Sequence, residues 1–443
     1  MSKPVVAIVG RPNVGKSTLF NLLAGENLSI IKDTPGVTRD RIYADVGWTD
    51  RRFTLIDTGG IEPNTDDIIL SQMAEQAQMA IDTADVIIFM TDLKQGLVDA
   101  DLRVADLLRR SRKPIVLAVN KVDNFLRDEA AVYEFYNLGI GEPFPISSAN
   151  RQGIGDLLDE VTGHFPEKDA QTEEDARPKI AVIGKPNTGK SSLINKLLGE
   201  NRLIVSNIAG TTRDAVDTAV TYNGKDYVFI DTAGLRRKSK IREDIERYSI
   251  IRAVTAVDRA DVAVVMIDAE EGVTEQDAKI AGIAHDKGKG IIIAVNKWDA
   301  IEKNDKTMYR FSDKVKQVLS FLPYAQIVYI SAKTGLRIQN LFACIDRVIE
   351  NQSRRIQTGV LNDVLSQAAV MHQPPSDKGK VLRMYYITQV SVKPPTFVIF
   401  VNNKELMHFS YLRYIENQFR EAFDFEGTAL KFIVRERSQK DTP

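Results

Sequence analysis

GRPNVGKST (10–18) and GKPNTGKSS (184–192) are two versions of one glycine-framed stretch. Their reading decides the fold. Each follows a short apolar run, VVAIV (5–9) or KIAVI (179–183), and each opens into a segment of helical spacing. Glycines at the ends of GxxxxGK[ST] let the backbone wrap closely around an anion. The successive N–H groups then point inward at a helix N-terminus, where the peptide dipoles favour negative charge. A strand, a phosphate cradle and a helix are therefore expected twice.

Further landmarks recur in the same order. PGVTRD (35–40) answers to AGTTRD (209–214), and LIDTGG (55–60) to FIDTAG (229–234). AVNKVD (118–123) answers to AVNKWD (294–299), and ISSA (146–149) to ISA (330–332). This is a tandem duplication. FTLID, DVIIFM and PIVLAVN read as buried strands in the first copy; YVFID, DVAVVMID and GIIIAVN match them in the second. Helical patterns at 99–110 and 274–287 separate the runs, which implies a mostly parallel sheet with helices on both faces. Each copy also carries one hairpin, marked most clearly by Asn223-Gly224.

The fold class expected is α/β: two tandem P-loop domains, then a small α+β domain. Boundaries fall at 1–164, 165–178, 179–352 and 353–443. The segment 165–178 is polar, acidic and closed by Pro178, and reads as a flexible linker. After Ser353 the pattern is helix (359–371), strand (381–392), strand (396–401), helix (410–423), strand (429–435). A chain of 443 residues accommodates roughly three such units.

Composition narrows the class. Hydrophobic content of 43% and charged content of 27% are those of a globular protein. The formal net charge of -1 leaves the whole chain near neutral, an average that says nothing about local patches. One cysteine, Cys344, rules out an internal disulfide; its helical apolar neighbours make it a core residue. The N-terminus is not a signal peptide, and no apolar run of about 18 residues exists. A cytoplasmic protein is expected, without membrane or DNA partners and monomeric. The histidines, His164, His285, His372 and His408, show no metal spacing.

The chemistry of the cradle is phosphate binding. Lys16 and Lys190 reach terminal phosphates, and Ser17 and Ser191 offer hydroxyls to magnesium. Asp57 and Asp231 close apolar strands, where a carboxylate holds magnesium through water. Gly60 and Gly234 offer an N–H to a γ-phosphate. The carboxylates of Asp123 and Asp299 can accept two hydrogen bonds from guanine. Adenine presents no such donor pair and would leave the acid unpaired. The nucleotide expected is GTP or GDP.

With these motifs in place, the sequence resembles the translation-factor-related GTPases. The paired arrangement is similar to the bacterial Der (EngA) double-Era-like GTPases over essentially the whole chain, including a C-terminal domain resembling a KH fold. The resemblance implies nucleotide contacts at Gly10, Arg11, Pro12, Asn13, Val14, Gly15, Lys16, Ser17 and Thr18, then at Asp57, Thr58, Gly59, Gly60 and Ile61. It also implies Asn120, Lys121, Val122 and Asp123, with Ser148 and Ala149 behind the guanine. In the second copy the counterparts are Gly184, Lys185, Pro186, Asn187, Thr188, Gly189, Lys190, Ser191 and Ser192, then Asp231, Thr232, Ala233, Gly234 and Leu235. Asn296, Lys297, Trp298, Asp299, Ser331 and Ala332 complete that copy. Thr38 and Thr212 match the switch threonine that completes magnesium coordination. The catalytic set implied is Lys16, Thr38 and Gly60, with Lys190, Thr212 and Gly234.

One departure concerns hydrolysis. Ile61 and Leu235 stand where Ras-like enzymes carry a glutamine that orients water. In relatives, asparagines at the positions of Asn13 and Asn187 help bind potassium, which can supply the charge of an arginine finger. Potassium stimulation is expected on that resemblance.

LRRKSKIRED (235–244) is basic, whereas IEPNTDDIIL (61–70) is acidic, so the two second-switch regions are not equivalent. From Ser353 onward 13 Lys/Arg stand against 9 Asp/Glu. Arg383, Lys393, Arg413, Arg420, Lys431, Arg435 and Arg437 could share one face. The GxxG of RNA-gripping KH domains is absent, and Tyr385, Tyr386 and Phe397 read as core. The resemblance implies a GTP-hydrolysing switch in assembly of the large ribosomal subunit, touching its rRNA. The alternative is a GTP/GDP-sensing module for a protein partner, with little hydrolysis of its own.

Overall fold

The computed structural model describes residues 3–26, 43–58, 66–165, 177–199, 217–230, 245–377 and 379–436. They gather into two compact units. The first holds the described residues up to Phe165 together with most of a helix near residue 250; the second holds the remainder.

In the first unit the order is β1 (Val5–Gly10), α1 (Lys16–Glu26), β2 (Tyr43–Trp48), β3 (Arg51–Asp57), α2 (Asp66–Thr83), β4 (Val86–Asp92), α3 (Asp99–Arg110), β5 (Ile115–Asn120), α4 (Phe125–Val132), β6 (Pro143–Pro145) and α5 (Ile154–Gly163). The strands form one six-stranded sheet, β2-β3-β1-β4-β5-β6. All its pairs are parallel except β2 with β3, the expected hairpin. Every residue of β1 is buried, which is why it reads as an unbroken apolar run. Ala7, Val9, Ile87 and Phe89 face one core; Val6, Ile8, Ile88 and Met90 face the other. That period-two split is the sheet's two covered faces.

Phe165, assigned to the linker on sequence, is buried in the second of these cores and packs 5.6 Å from the Phe53 ring. Its apolar bulk outweighs the polar company it keeps in sequence. Residues 166–176 lie outside the described residues.

The second unit repeats the plan: β7 (Lys179–Ile183), α6 (Lys190–Gly199), β8 (Thr218–Tyr222), β9 (Lys225–Ile230), α7 (Ile245–Arg259), β10 (Val262–Asp268), α8 (Glu275–Asp286), β11 (Gly290–Asn296), α9 (Thr307–Val318), β12 (Gln326–Tyr329) and α10 (Ile338–Ser353). Of these, α7 up to Asp258 groups with the first unit, where Ile251 enters the core. Strand order β12-β11-β10-β7-β9-β8 is the first sheet's order written backwards. The β8–β9 turn has Asn223 at φ 50° and Gly224 at φ 77°, the paired positive dihedrals that Asn-Gly supplies best. Cys344 is only partly buried, packed against the second α/β domain's core, where Ile180, Val264, Ile292 and Phe342 meet.

The C-terminal part runs α11 (Thr358–Met371), β13 (Ser376–Asp377), β14 (Lys380–Val381), β15 (Met384–Ser391), β16 (Thr396–Val401), α12 (Phe409–Phe423) and β17 (Lys431–Glu436). Sheet order is β15-β16-β17, antiparallel then parallel. Phe397, Ile399, Ile415 and Phe419 fill its core. The single strand expected at 381–392 is broken: β14 pairs with β13, and Leu382 N–H donates to Pro375 O at 2.9 Å.

Two further expectations are corrected here. Tyr385 and Tyr386 are exposed, at 46% and 39%, although Phe397 is buried. A register irregularity between Met384 and Tyr386 on edge strand β15 breaks the alternation and turns both outward. Arg420 is withdrawn from any basic face. Its guanidinium lies 4.2 Å over the Tyr324 ring, bonds Glu416, and donates to the carbonyls of Phe425 and Thr428. Arg437 lies outside the described residues.

This domain is knitted to the second α/β domain within one unit. Gly427 N–H donates to Tyr324 O at 2.7 Å, and Ile291 N–H donates to Gly427 O at 2.8 Å.

Candidate nucleotide sites

Both cradles lie at the carboxyl ends of parallel strands, where β1 is flanked by β3 and β4, and β7 by β9 and β10. Open α/β sheets bind ligands at such a point. Lys16 Nζ donates to the carbonyls of Gly10 and Arg11 at 2.7 and 2.6 Å. Lys190 makes the same pair of bonds, to Gly184 at 2.7 Å and to Lys185. The ammonium is thereby held over the loop whose N–H groups would receive phosphate. Burial pulls the Lys16 ammonium down to about 8, with Asp57 opposing and Arg11 assisting.

Ser17 Oγ donates to Asp57 Oδ2 at 3.0 Å. A hydroxyl from α1 and a carboxylate from the end of β3 thus converge, and hard oxygen donors of this kind suit magnesium. Thr58 Oγ1 donates to Ile8 O at 2.5 Å and fixes the exit of β3. Asn13 and Asn187 are exposed and adopt φ 63° and 64°, a left-handed conformation that asparagine tolerates better than most residues.

The loop after β5 is tied to the cradle. Asn120 Nδ2 donates to Val14 O at 2.7 Å, and its Oδ1 accepts from Ser148 N–H at 2.9 Å. Asn296 does the same with Thr188 O and Ala332 N–H, at 2.8 and 2.8 Å. A Cβ on Gly15 or Gly189 would fall 2.3 or 2.1 Å from these amide nitrogens, so glycine is required there. Asp123 is half exposed and meets Lys94 at 2.5 Å. A hydrogen bond from Ser331 holds the Asp299 carboxyl below the usual carboxylate range.

In the loop behind the base, the expected match of Ser148-Ala149 with Ser331-Ala332 is shifted by one residue. Ser147 and Ser331 make matching contacts, with Gln152 O and Leu336 O respectively. Ser148 and Ala332 each donate to the asparagine. Ser147 and Ser148 therefore correspond to Ser331 and Ala332, and Ala149 is exposed.

The sequence reading also passed over four aspartates. Lys121 and Lys297, at φ 67° and 59°, are paired with Asp92 and Asp268. Arg11 and Lys185 are paired with Asp101 and Asp277. The signal was present in TDLKQGLVDAD (91–101) and IDAEEGVTEQD (267–277), where both acids recur at equal spacing. Thr38, Gly59, Gly60, Ile61, Thr212, Asp231, Thr232, Ala233, Gly234 and Leu235 lie outside the described residues.

A P-loop, an aspartate closing β3 beside the P-loop serine, and an NKxD loop bonded through its asparagine to the P-loop define a GTPase site; the P-loop and its bonded NKxD loop recur in the second copy. Residues 5–121 and 179–297 both match a family model described as a 50S ribosome-binding GTPase. Residues 355–435 match the KH-domain-like C-terminal domain of EngA bacterial GTPase enzymes. GTPase Der of Agathobacter rectalis is 70% identical over 441 residues, covering 100% of both chains. GTPase Der of Lachnoclostridium phytofermentans is 69% identical with the same coverage, and that of Acetivibrio thermocellus is 59% identical over 99% of this chain and 100% of its own. The chain belongs to the GTPase Der family.

Proposed function

We propose that this protein is a magnesium-dependent, GTP-hydrolysing switch with two sites, acting in the cytoplasm as a monomer during assembly of the large ribosomal subunit. The observation that carries the GTPase half is the Ser17–Asp57 contact beside a lysine-filled cradle, bonded through Asn120 to the NKxD loop. The ribosomal half is supported by the matched family model, whose description is 50S ribosome binding. The division proposed is 1–164, 179–352 and 353–443, with the acidic segment between the first two and the last two held in one unit by backbone hydrogen bonds.

In this reading the P-loop N–H groups of residues 10–18 and 184–192 cradle the β- and γ-phosphates, with Lys16 and Lys190 on the terminal oxygens. Asp123 and Asp299 select guanine. Ser17, Thr38 and Asp57, and in the second site Ser191, Thr212 and Asp231, would hold magnesium, which when bound would supply positive charge beside the phosphates. Gly60 and Gly234 donate N–H groups to the γ-phosphate. No side chain at Ile61 or Leu235 can orient water. Asn13 and Asn187, exposed at the loop's left-handed turn, are assigned to potassium, which supplies the missing charge.

Co-sedimentation tests the ribosomal half. The full chain with a non-hydrolysable GTP analogue should pellet with large subunits and their rRNA, and release as salt rises. Pelleting that ignores both nucleotide and salt would contradict it.

A further inference from the structure

The stretch from the end of β4 into α3 braces the nucleotide site at two points, and its copy from the end of β10 into α8 does the same. The acid that closes the strand, Asp92 or Asp268, grips the NKxD lysine, as described above. The acid in the first turn of the helix, Asp101 or Asp277, grips the second residue of the P-loop. Arg11 Nε lies 2.7 Å from Asp101 Oδ1, and its Nη1 lies 2.7 Å from Gln95 Oε1. Lys185 Nζ lies 3.0 Å from Glu271 and 3.3 Å from Asp277. The Asp101 and Asp277 side chains are fully buried, and the two cations are 11% and 5% exposed.

Each acid is fixed from behind. Asp101 sits in the first turn of α3, its N–H donating to Val98 O at 2.9 Å. Asp277 Oδ2 accepts from Thr274 N–H and Thr274 Oγ1 at 2.9 and 2.8 Å, a reciprocal cap on α8. The cation is thus tied to a rigid helix end. Its own carbonyl is one of the two that hold the P-loop lysine.

Buried ion pairs contribute little net stability, because desolvation offsets their attraction. Here the pairs are incompletely bonded as well: Asp101 Oδ2 and Arg11 Nη2, and in the second copy Asp277 Oδ1 and Lys185 Nζ, have no hydrogen-bond partner of good geometry, so the second contact is an ion pair at 3.3 Å. An apolar contact would stabilise the fold equally. What the pair supplies is a set position for the peptide after Gly10 or Gly184. The same contact occurs in both copies with a different cation in each, so the charge and the anchor point matter more than the side chain carrying them.

We infer that Arg11–Asp101 and Lys185–Asp277 are positioning pairs that hold each P-loop in its phosphate-receiving shape, and thereby set how tightly GDP and GTP are retained. The inference rests on the cradles' being nucleotide sites.

The first site is read in full-length protein carrying Lys190→Ala, by displacement of a fluorescent GDP analogue with GDP. This parent, whose first pair is intact, must retain GDP; failure there would count against the cradle assignment. Against it, Asp101→Asn should weaken GDP by roughly tenfold or more, and Arg11→Lys, which keeps a cation for Asp101, should lose less than Asp101→Asn, since the second site works with lysine. The double variant Arg11→Leu/Asp101→Leu removes both charges together. It should recover thermal stability lost in Asp101→Asn while GDP binding stays weak. Asp277→Asn in a Lys16→Ala background should repeat the first result. GDP affinity in Asp101→Asn equal to the parent's would overturn the inference. So would affinity that rises and falls with thermal stability across the series.

Discussion

The side-chain amide of Asn120 donates to the carbonyl of Val14 at 2.7 Å, joining the loop after β5 to the loop after β1 across 106 residues of sequence. Its other end accepts from Ser148. One residue therefore sets the spacing between the phosphate cradle and the guanine-facing loops.

Replacing Asn120 with Ala removes both bonds and leaves Val14 O and Ser148 N–H unpaired in a buried place. Each such loss costs about 1–3 kcal/mol. GDP affinity at the first site should fall roughly tenfold to a hundredfold, read by titration in a Lys190→Ala background. Asn296→Ala should act alike at the second site.

Asp123→Asn exchanges a double acceptor for a side chain that also donates. Guanine's two donors then meet one donor, while xanthine, with a carbonyl at that ring position, is matched. The variant should prefer xanthosine over guanosine nucleotides in competition at the first site. Unchanged preference for GTP would count against Asp123 as the base-reading group.

The Lys16 ammonium titrates near 8 rather than near 10.5 because burial disfavours its charge. Between those values the unfolded chain holds more protons at this residue than the folded one, so its contribution to stability rises with pH. Phosphate reverses the balance by favouring the ammonium. GDP binding at pH 8.5 should take up protons, and affinity should weaken as pH rises further. Calorimetry in buffers of different ionisation enthalpy, with the second site silenced, measures the uptake.

Gly427→Ala should loosen the C-terminal domain from the second α/β domain. Gly427 sits at φ 73°, and an added Cβ would lie 2.2 Å from Val348 Cγ2. Backbone strain and overpacking together cost about 2–4 kcal/mol. A lowered midpoint in chemical denaturation, with earlier proteolytic release of the C-terminal part, is the expected outcome.

What was legible in the sequence was whatever repeats or alternates locally. VVAIV and IAVI (180–183) read as buried strands because every position is apolar. Asn223-Gly224 read as a turn because few residue pairs accept those dihedrals. Asp57 and Asn120 were readable from their motifs. Arg11–Asp101 was not, since 90 residues separate its partners and either residue alone resembles a solvated charge. Arg420 looked like surface because its partner, the Tyr324 face, belongs to another domain. Tyr385 and Tyr386 were misread because one irregularity in an edge strand undoes the period on which that reading rests. Ser148-Ala149 was matched to Ser331-Ala332 because the Ser-Ala pair is what ISSA and ISA share; the hydrogen bonds instead place Ser148 opposite Ala332.

The most direct test of the central claim is GTP turnover by the purified full-length chain with magnesium, in potassium and in sodium buffer, with and without large ribosomal subunits. Turnover should be faster in potassium and should rise again when subunits are added. Lys16→Ala and Lys190→Ala should reduce it unequally. No turnover under any of these conditions would contradict the account.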